Sequence, residues 1–198
     1  MWKLAALMMT VAACSYADMI TFTHSGFGFV SVGAEPFTFT DFTITDVGDT
    51  ANRIAFAGGF FINTSAVIFL DGIGTFDILT PTRTFVSNTA KEVGFGRATG
   101  SDLYDGPTAA VLGTWDMLSS IGPLTGSAVV ATWASPPVNT SGGLITFMSR
   151  SNATTFTATV APEPSSLIPL GMGLIAIAGT AWRRHKLGQL ILDSAKCS

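Results

Sequence analysis

From residue 18 to residue 161 the chain alternates apolar residues with threonine, and this period of two predicts strands rather than helices. Met19-Ile20-Thr21-Phe22-Thr23 and Glu35-Pro36-Phe37-Thr38-Phe39-Thr40 are the clearest examples, because β-branched and aromatic side chains suit a pleated surface. In the second segment Phe37 and Phe39 share one parity while Phe42 and Ile44 take the other, so a bulge near Asp41 or a strand buried on both faces is expected. Further strands are expected over 53–61, 66–70, 75–79, 82–86, 91–95, 109–115, 127–133, 144–148 and 154–160. Turn chemistry separates them at Gly58-Gly59, Asp71-Gly72, Asp105-Gly106-Pro107, Ile121-Gly122-Pro123, Pro136-Pro137 and Gly142-Gly143. No long amphipathic pattern and no internal repeat interrupts this series. Many short strands at regular spacing predict an all-β fold, an antiparallel β-sandwich of jelly-roll type.

Both ends depart from the alternation. Lys3 precedes an apolar run from Leu4 to Ala13, and Ser15-Tyr16-Ala17 before Asp18 satisfies the small-x-small rule for signal peptidase, so residues 1–17 read as an export signal cleaved between Ala17 and Asp18. The same residues carry a second signal, since Val11-Ala12-Ala13-Cys14 resembles a lipoprotein box that would lipidate Cys14. Cleavage after Ala17 is preferred, because an acyl anchor is redundant beside the signal at the other end. There, Pro162-Glu163-Pro164 holds the backbone open, as two prolines remove donors and bias their predecessors to extended geometry. An uncharged run follows to Trp182, then Arg183-Arg184-His185-Lys186. Residues 165–182 would reach roughly 27 Å as a helix at about 1.5 Å per residue, enough for a short transmembrane helix with its basic end in the cytoplasm.

The order Pro162-Glu163-Pro164, glycine-rich apolar span, Arg183-Arg184 resembles the PEP-CTERM protein-sorting signal of exported proteins in Gram-negative, exopolysaccharide-producing bacteria. The resemblance covers 162–186 and implies transient recognition by an exosortase, a membrane-embedded, cysteine-dependent processing enzyme that acts near the triplet. The expected organisation is therefore a signal peptide over 1–17, an exported β-sandwich domain over 18–161, a sorting signal over 162–186 and a short cytoplasmic tail over 187–198. Signal peptidase, the inner membrane, an exosortase and exopolysaccharide are the implied partners, and the cell envelope or extracellular matrix the destination.

Composition narrows the chemistry of 18–161. The two cysteines are Cys14 and Cys197, so this region has no disulfide and depends on burial for its stability. It holds five basic residues against eleven acidic ones, and without a basic stripe it offers nothing for nucleic acid. His24 is its only histidine, which removes histidine metal clusters and leaves a single residue for any nucleophile-histidine arrangement. On a strand, it reads as a surface or packing residue.

Asp46, Asp49 and Asn52 place three oxygen-bearing side chains at three-residue spacing, a candidate calcium site whose alternative is turn capping. Asp71 with Asp77 and Asp102 with Asp105 are weaker versions. Trp115 and Trp133 are candidates for stacking on sugar rings, with core packing as the competing reading. No catalytic residue, metal or cofactor is assigned. The expected function is a non-enzymatic structural or adhesive matrix protein; the alternative is a carbohydrate-binding module. A binding module should present an exposed aromatic beside polar groups in a groove, and a hydrolase should gather two carboxylates around a cleft.

Overall fold

A computed structural model describes residues 18–131, 133–148 and 151–161. It comprises β1 (Met19–Val32), β2 (Thr38–Asp49), β3 (Ile54–Phe56), β4 (Gly59–Leu70), β5 (Gly74–Ser87), β6 (Glu92–Arg97), β7 (Asp102–Thr108), β8 (Ile121–Val130), β9 (Val138–Thr140), β10 (Gly143–Phe147) and β11 (Ser151–Ala161). All pairings are antiparallel, and following them from β5 through β6, β7, β8, β11, β1, β2 and β4 leads back to β5. The eight strands form a closed barrel, not the expected sandwich. The physical reason lies in strand length. The segments read as separate short strands at 75–79 and 82–86 are one strand of 14 residues, and 66–70 belongs to a strand of 12 that begins at Gly59. Strands this long, paired on both sides, curl until the first and last meet, and eight enclose a space that side chains can fill.

Two long strands change neighbours along their length. β1 pairs with β11 from Met19 to Ser25 and with β10 from Val30 to Val32. β5 pairs with β6 from Thr82 to Ser87 and meets β9 at Ile78. The β9–β10 hairpin thus bridges β1 and β5 at one end. One core cluster lies there, with Phe42, Ile68, Leu70, Trp133, Val138 and Phe147 among its members. A second, around Ile20, Phe22, Ile62, Val86 and Phe156, fills the other end. Most inward positions are apolar, with His24, Asp46 and Thr84 among the polar exceptions, while Thr21, Thr23, Ser25, Thr43 and Thr45 face outward.

Several local expectations change. Residues 109–115 form no strand; a 3-10 turn at Ala110–Gly113 delivers Leu112, and Trp115 and Met117 follow it into the second cluster, so these residues are apolar because they are buried there. Asp105-Gly106-Pro107 and Ile121-Gly122-Pro123 are not turns. Each Gly-Pro pair lies at a register shift within a strand, where a bulge takes the proline out of the ladder and glycine accepts φ of 123° or 100°. β2 runs against β1 without interruption from Thr38 to Asp49, so no bulge forms at Asp41. Instead Phe39 is exposed, stacked on Phe27 and tilted against Phe29 across the strand pair. The transmembrane helix expected over 165–182 is not found: no helix among the described residues is long and apolar enough to cross a membrane, and 162–198 lie outside them.

Trp133 packs on Phe147 with ring centroids 4.7 Å apart, and its indole N–H donates to the Leu103 carbonyl at 2.7 Å. Trp133→Ala should therefore lower the unfolding free energy by about 3–5 kcal/mol. Thr45→Val, on the outward face, should change it by less than about 0.5 kcal/mol. Urea unfolding followed by circular dichroism measures both.

Candidate functional site

Because side chains alternate, β2 sends Asp46 inward and Asp49 outward. The candidate calcium ligands are thus on opposite faces of one strand. Asp49 caps the following 3-10 turn, accepting from the Ala51 N–H at 2.7 Å and the Asn52 side-chain amide at 3.2 Å. Asp46 is fully buried, and no group of three metal-ligating side chains exists among the described residues. Trp115 and Trp133 are core residues, with indole N–H groups bonded to the carbonyls of Ser119 and Leu103, so neither can stack on a sugar. Asp18 donates its backbone N–H to the Thr50 hydroxyl at 3.1 Å. Cys14, Ala17, Pro162, Glu163, Pro164, Arg183 and Arg184 lie outside the described residues.

His24 is buried, not exposed. Its ring touches Phe95 and Tyr104 of one core cluster and Phe156 of the other, at centroid distances of 6.0, 5.9 and 4.9 Å. The Thr84 hydroxyl donates to Asp46 Oδ2 at 2.5 Å and lies 3.5 Å from His24 Nε2, which is 3.9 Å from Asp46 Oδ1. Burial pushes the histidine down to about 3 and the carboxyl up to about 7, the latter against the pull of the Thr84 and Thr64 hydroxyls. The imidazole is therefore neutral, and its contact with Asp46 is not an ion pair. This cluster joins β1, β2 and β5 at mid-barrel. Sealed from solvent, it offers no place for a substrate.

The outward chemistry lies on the wall formed by β3 to β7. There, a hollow of about 490 Å³ is lined on one side by Phe56, Phe61 and Phe85 and on the other by Glu92, Asp102 and Asp105. The register explains it: Phe61 opposes Phe85, Phe85 opposes Gly94, and Gly94 opposes Asp105, so one cross-strand row runs from aromatic to acid. Gly94 makes the row possible. A Cβ there would overlap the Phe85 ring and stand 2.9 Å from Asp105 Oδ1. Phe56, at the β3 edge, is 41% exposed and its ring lies 6.3 Å from that of Phe61.

Arg83 crosses the middle of the hollow. Its guanidinium carbon sits 5.1 Å from the Phe61 ring centre and 5.8 Å from that of Phe85, while Nη2 donates to the Gly100 carbonyl at 3.1 Å and stands 3.6 Å from Asp102 Oδ1. Burial pushes the Asp105 carboxyl up to about 7, helped by the charges of Asp102 and Glu92. Burial and Asp102 raise Glu92 as well. Two other surface hollows, one beside Glu35 and one beside Asp77, each hold a single carboxylate and no cationic group.

Of the weaker acidic pairs, Asp102 and Asp105 are brought into one site, with Glu92 added from β6. Arg83, Phe61, Phe85 and Phe56 were missed. The available signal was the alternation of Arg83 with Phe85 opposite the outward glycines of Gly94-Phe95-Gly96. Comparison of the chain with protein-family models, curated proteins and solved structures finds no match.

The interior cluster makes a prediction about pH. Asp46, raised in the folded state, keeps a proton that the unfolded chain loses, so its contribution to stability falls as pH rises from about 4 to 7. His24, lowered in the folded state, refuses a proton that the unfolded chain accepts, so its contribution rises from about pH 3 to 6.5. The two slopes oppose each other between about pH 4 and 6.5, with Asp105 adding a smaller, solvent-screened contribution of the same sign as Asp46. Asp46→Asn should therefore make stability rise with pH in that interval, and His24→Gln should make it fall. Thermal melts at half-unit pH steps test this; identical profiles for the two variants would contradict it.

Proposed function

We propose that the chain is an exported protein of the cell envelope or extracellular matrix whose barrel binds saccharide chains without transforming them. The carrying observation is the groove on the β3–β7 wall, where the exposed ring of Phe56 and the flanks of Phe61 and Phe85 adjoin a guanidinium and three carboxylates. Sugar recognition needs that combination, apolar ring faces for C–H surfaces and charged groups for hydroxyls. Ser15-Tyr16-Ala17 supports export, and the resemblance of Pro162-Glu163-Pro164 with Arg183-Arg184 to the PEP-CTERM signal supports processing by an exosortase.

The register adds support. Met19 pairs with Ala161, so cutting before Asp18 and after Ala161 would remove no residue of the described ladder.

Affinity electrophoresis through gels containing soluble polysaccharides tests the binding. Phe61→Ala and Phe85→Ala should each weaken retardation about tenfold, equivalent to about 1.4 kcal/mol, with little change in melting temperature. Retardation unchanged in both would place binding elsewhere. Release of reducing sugar, lost in Asp105→Asn, would replace binding by hydrolysis. For the ends, mass spectrometry of the protein exported from a host with an exosortase should find Asp18 at the N-terminus and no peptide beyond Ser166. A lipid on Cys14 would select the lipoprotein route, and intact peptides from 187–196 would remove the sorting assignment.

A further inference from the structure

We propose that the outward face shared by β1, β2 and the end of β10 is the contact through which two copies of the barrel pair. Register places Phe39 opposite Phe29, and the Met148 N–H, just beyond β10, donates to the Phe29 carbonyl at 2.9 Å, so one apolar row crosses three chain segments. Phe27 and Phe37 lie beside it. Phe27 stacks on Phe39 with planes 6° apart, and Phe29 stacks on Phe37 with centroids 5.1 Å apart. The strands themselves do not require such residues on the outside, since Thr21, Thr23, Ser25, Thr43 and Thr45 occupy the outward positions along the rest of β1 and β2. Nor does cross-strand stacking cover the rings: Phe39 stays 61% exposed, Phe27 45%, Phe37 38% and Met148 65%.

Area points to the occupant. At roughly 200 Å² for a fully exposed side chain of this size, Phe27, Phe37, Phe39 and Met148 present on the order of 400 Å² of apolar surface, the size at which an exposed patch is commonly a contact site. Two such patches face to face bury about 800 Å², and their rims carry the contact to about 1,000 Å², the lower bound for a specific, reversible interface. Aromatic and methionine side chains are the types that such interfaces concentrate. A two-fold axis through the patch needs no second surface, because each copy offers the same one. A sugar fits less well, because Phe27 and Phe39 cover on each other the ring face that a sugar would use. Exposed Asp41, opposite Phe27, and exposed Glu35, between β1 and β2, add acids to the rim, which disfavours an anionic membrane surface. In a pair these acids repel, which keeps the association weak and makes it tighten with salt. Pairing is independent of the saccharide reading; together, the two would offer two grooves to one polymer.

Sedimentation velocity of the exported protein over about 1 to 300 µM tests the pairing, since an interface of this size dissociates within that range. The mean mass should rise towards that of two chains, and should do so at lower protein concentration in about 0.5 M salt than in about 0.05 M. Phe27→Thr combined with Phe39→Thr, which installs the residue type found outward elsewhere on these strands, should weaken pairing at least about tenfold. Asp41→Asn should tighten it about threefold, a gain that a damaged fold does not produce. A protein that stays monomeric throughout the range, or a dimer indifferent to these substitutions, would overturn the proposal. Vesicles of phosphatidylcholine probe the competing occupant: co-sedimentation of the monomer with them, lost in the double variant, would assign the face to a lipid surface instead.

Discussion

Closure of the ring through β4 and β5 is the constraint on which the rest of this molecule depends. Once those strands pair, every strand of the barrel has a neighbour on both sides, and each inward position faces a space too narrow for anything but side chains. The interior consequently sorts into two apolar clusters with His24, Asp46 and Thr84 between them. At that level the Thr84 hydroxyl donates to Asp46 and the imidazole stays neutral, which avoids the cost of a buried cation, although His24 Nδ1 and Asp46 Oδ1 have no hydrogen-bond partner. With the interior filled, only the outer wall is open to a ligand.

On that wall the groove arises from an inversion of ordinary strand chemistry. β6 turns Glu92, Gly94 and Gly96 outward and Val93, Phe95 and Arg97 inward, so beyond Glu92 its outer surface is bare backbone. Long side chains on either side lean over it, aromatic rings from β4 and β5 and carboxylates from β7. Arg83 holds the two sides together through its ring contacts and its approach to Asp102. The carboxylates crowd one another on a partly dry surface, which is why Asp105 retains its proton far above the usual carboxylate range.

The all-β character of the fold was legible in the alternation of threonine with apolar residues, because period two reports which face of a strand is buried. Closure was not. A sandwich and a barrel share that alternation, and they differ only in which strands pair, a long-range property that no local spacing encodes. The Gly-Pro pairs misled for a related reason: in isolation they read as turns, whereas within a paired strand they read as bulges. In sequence Trp115 and Trp133 are compatible with sugar platforms or with core, and their burial decides for core. The acids of the groove come from two strands and its aromatics from three, so no contiguous motif announced it.

The pairing of Met19 with Ala161 also governs the order of events during biogenesis. The seam between β1 and β11 joins the beginning of the described chain to its end, so the barrel cannot seal until its final strand has emerged. Contacts of such wide sequence separation form slowly. Until that seam forms, β1 has β2 on one edge and an open row of backbone groups on the other.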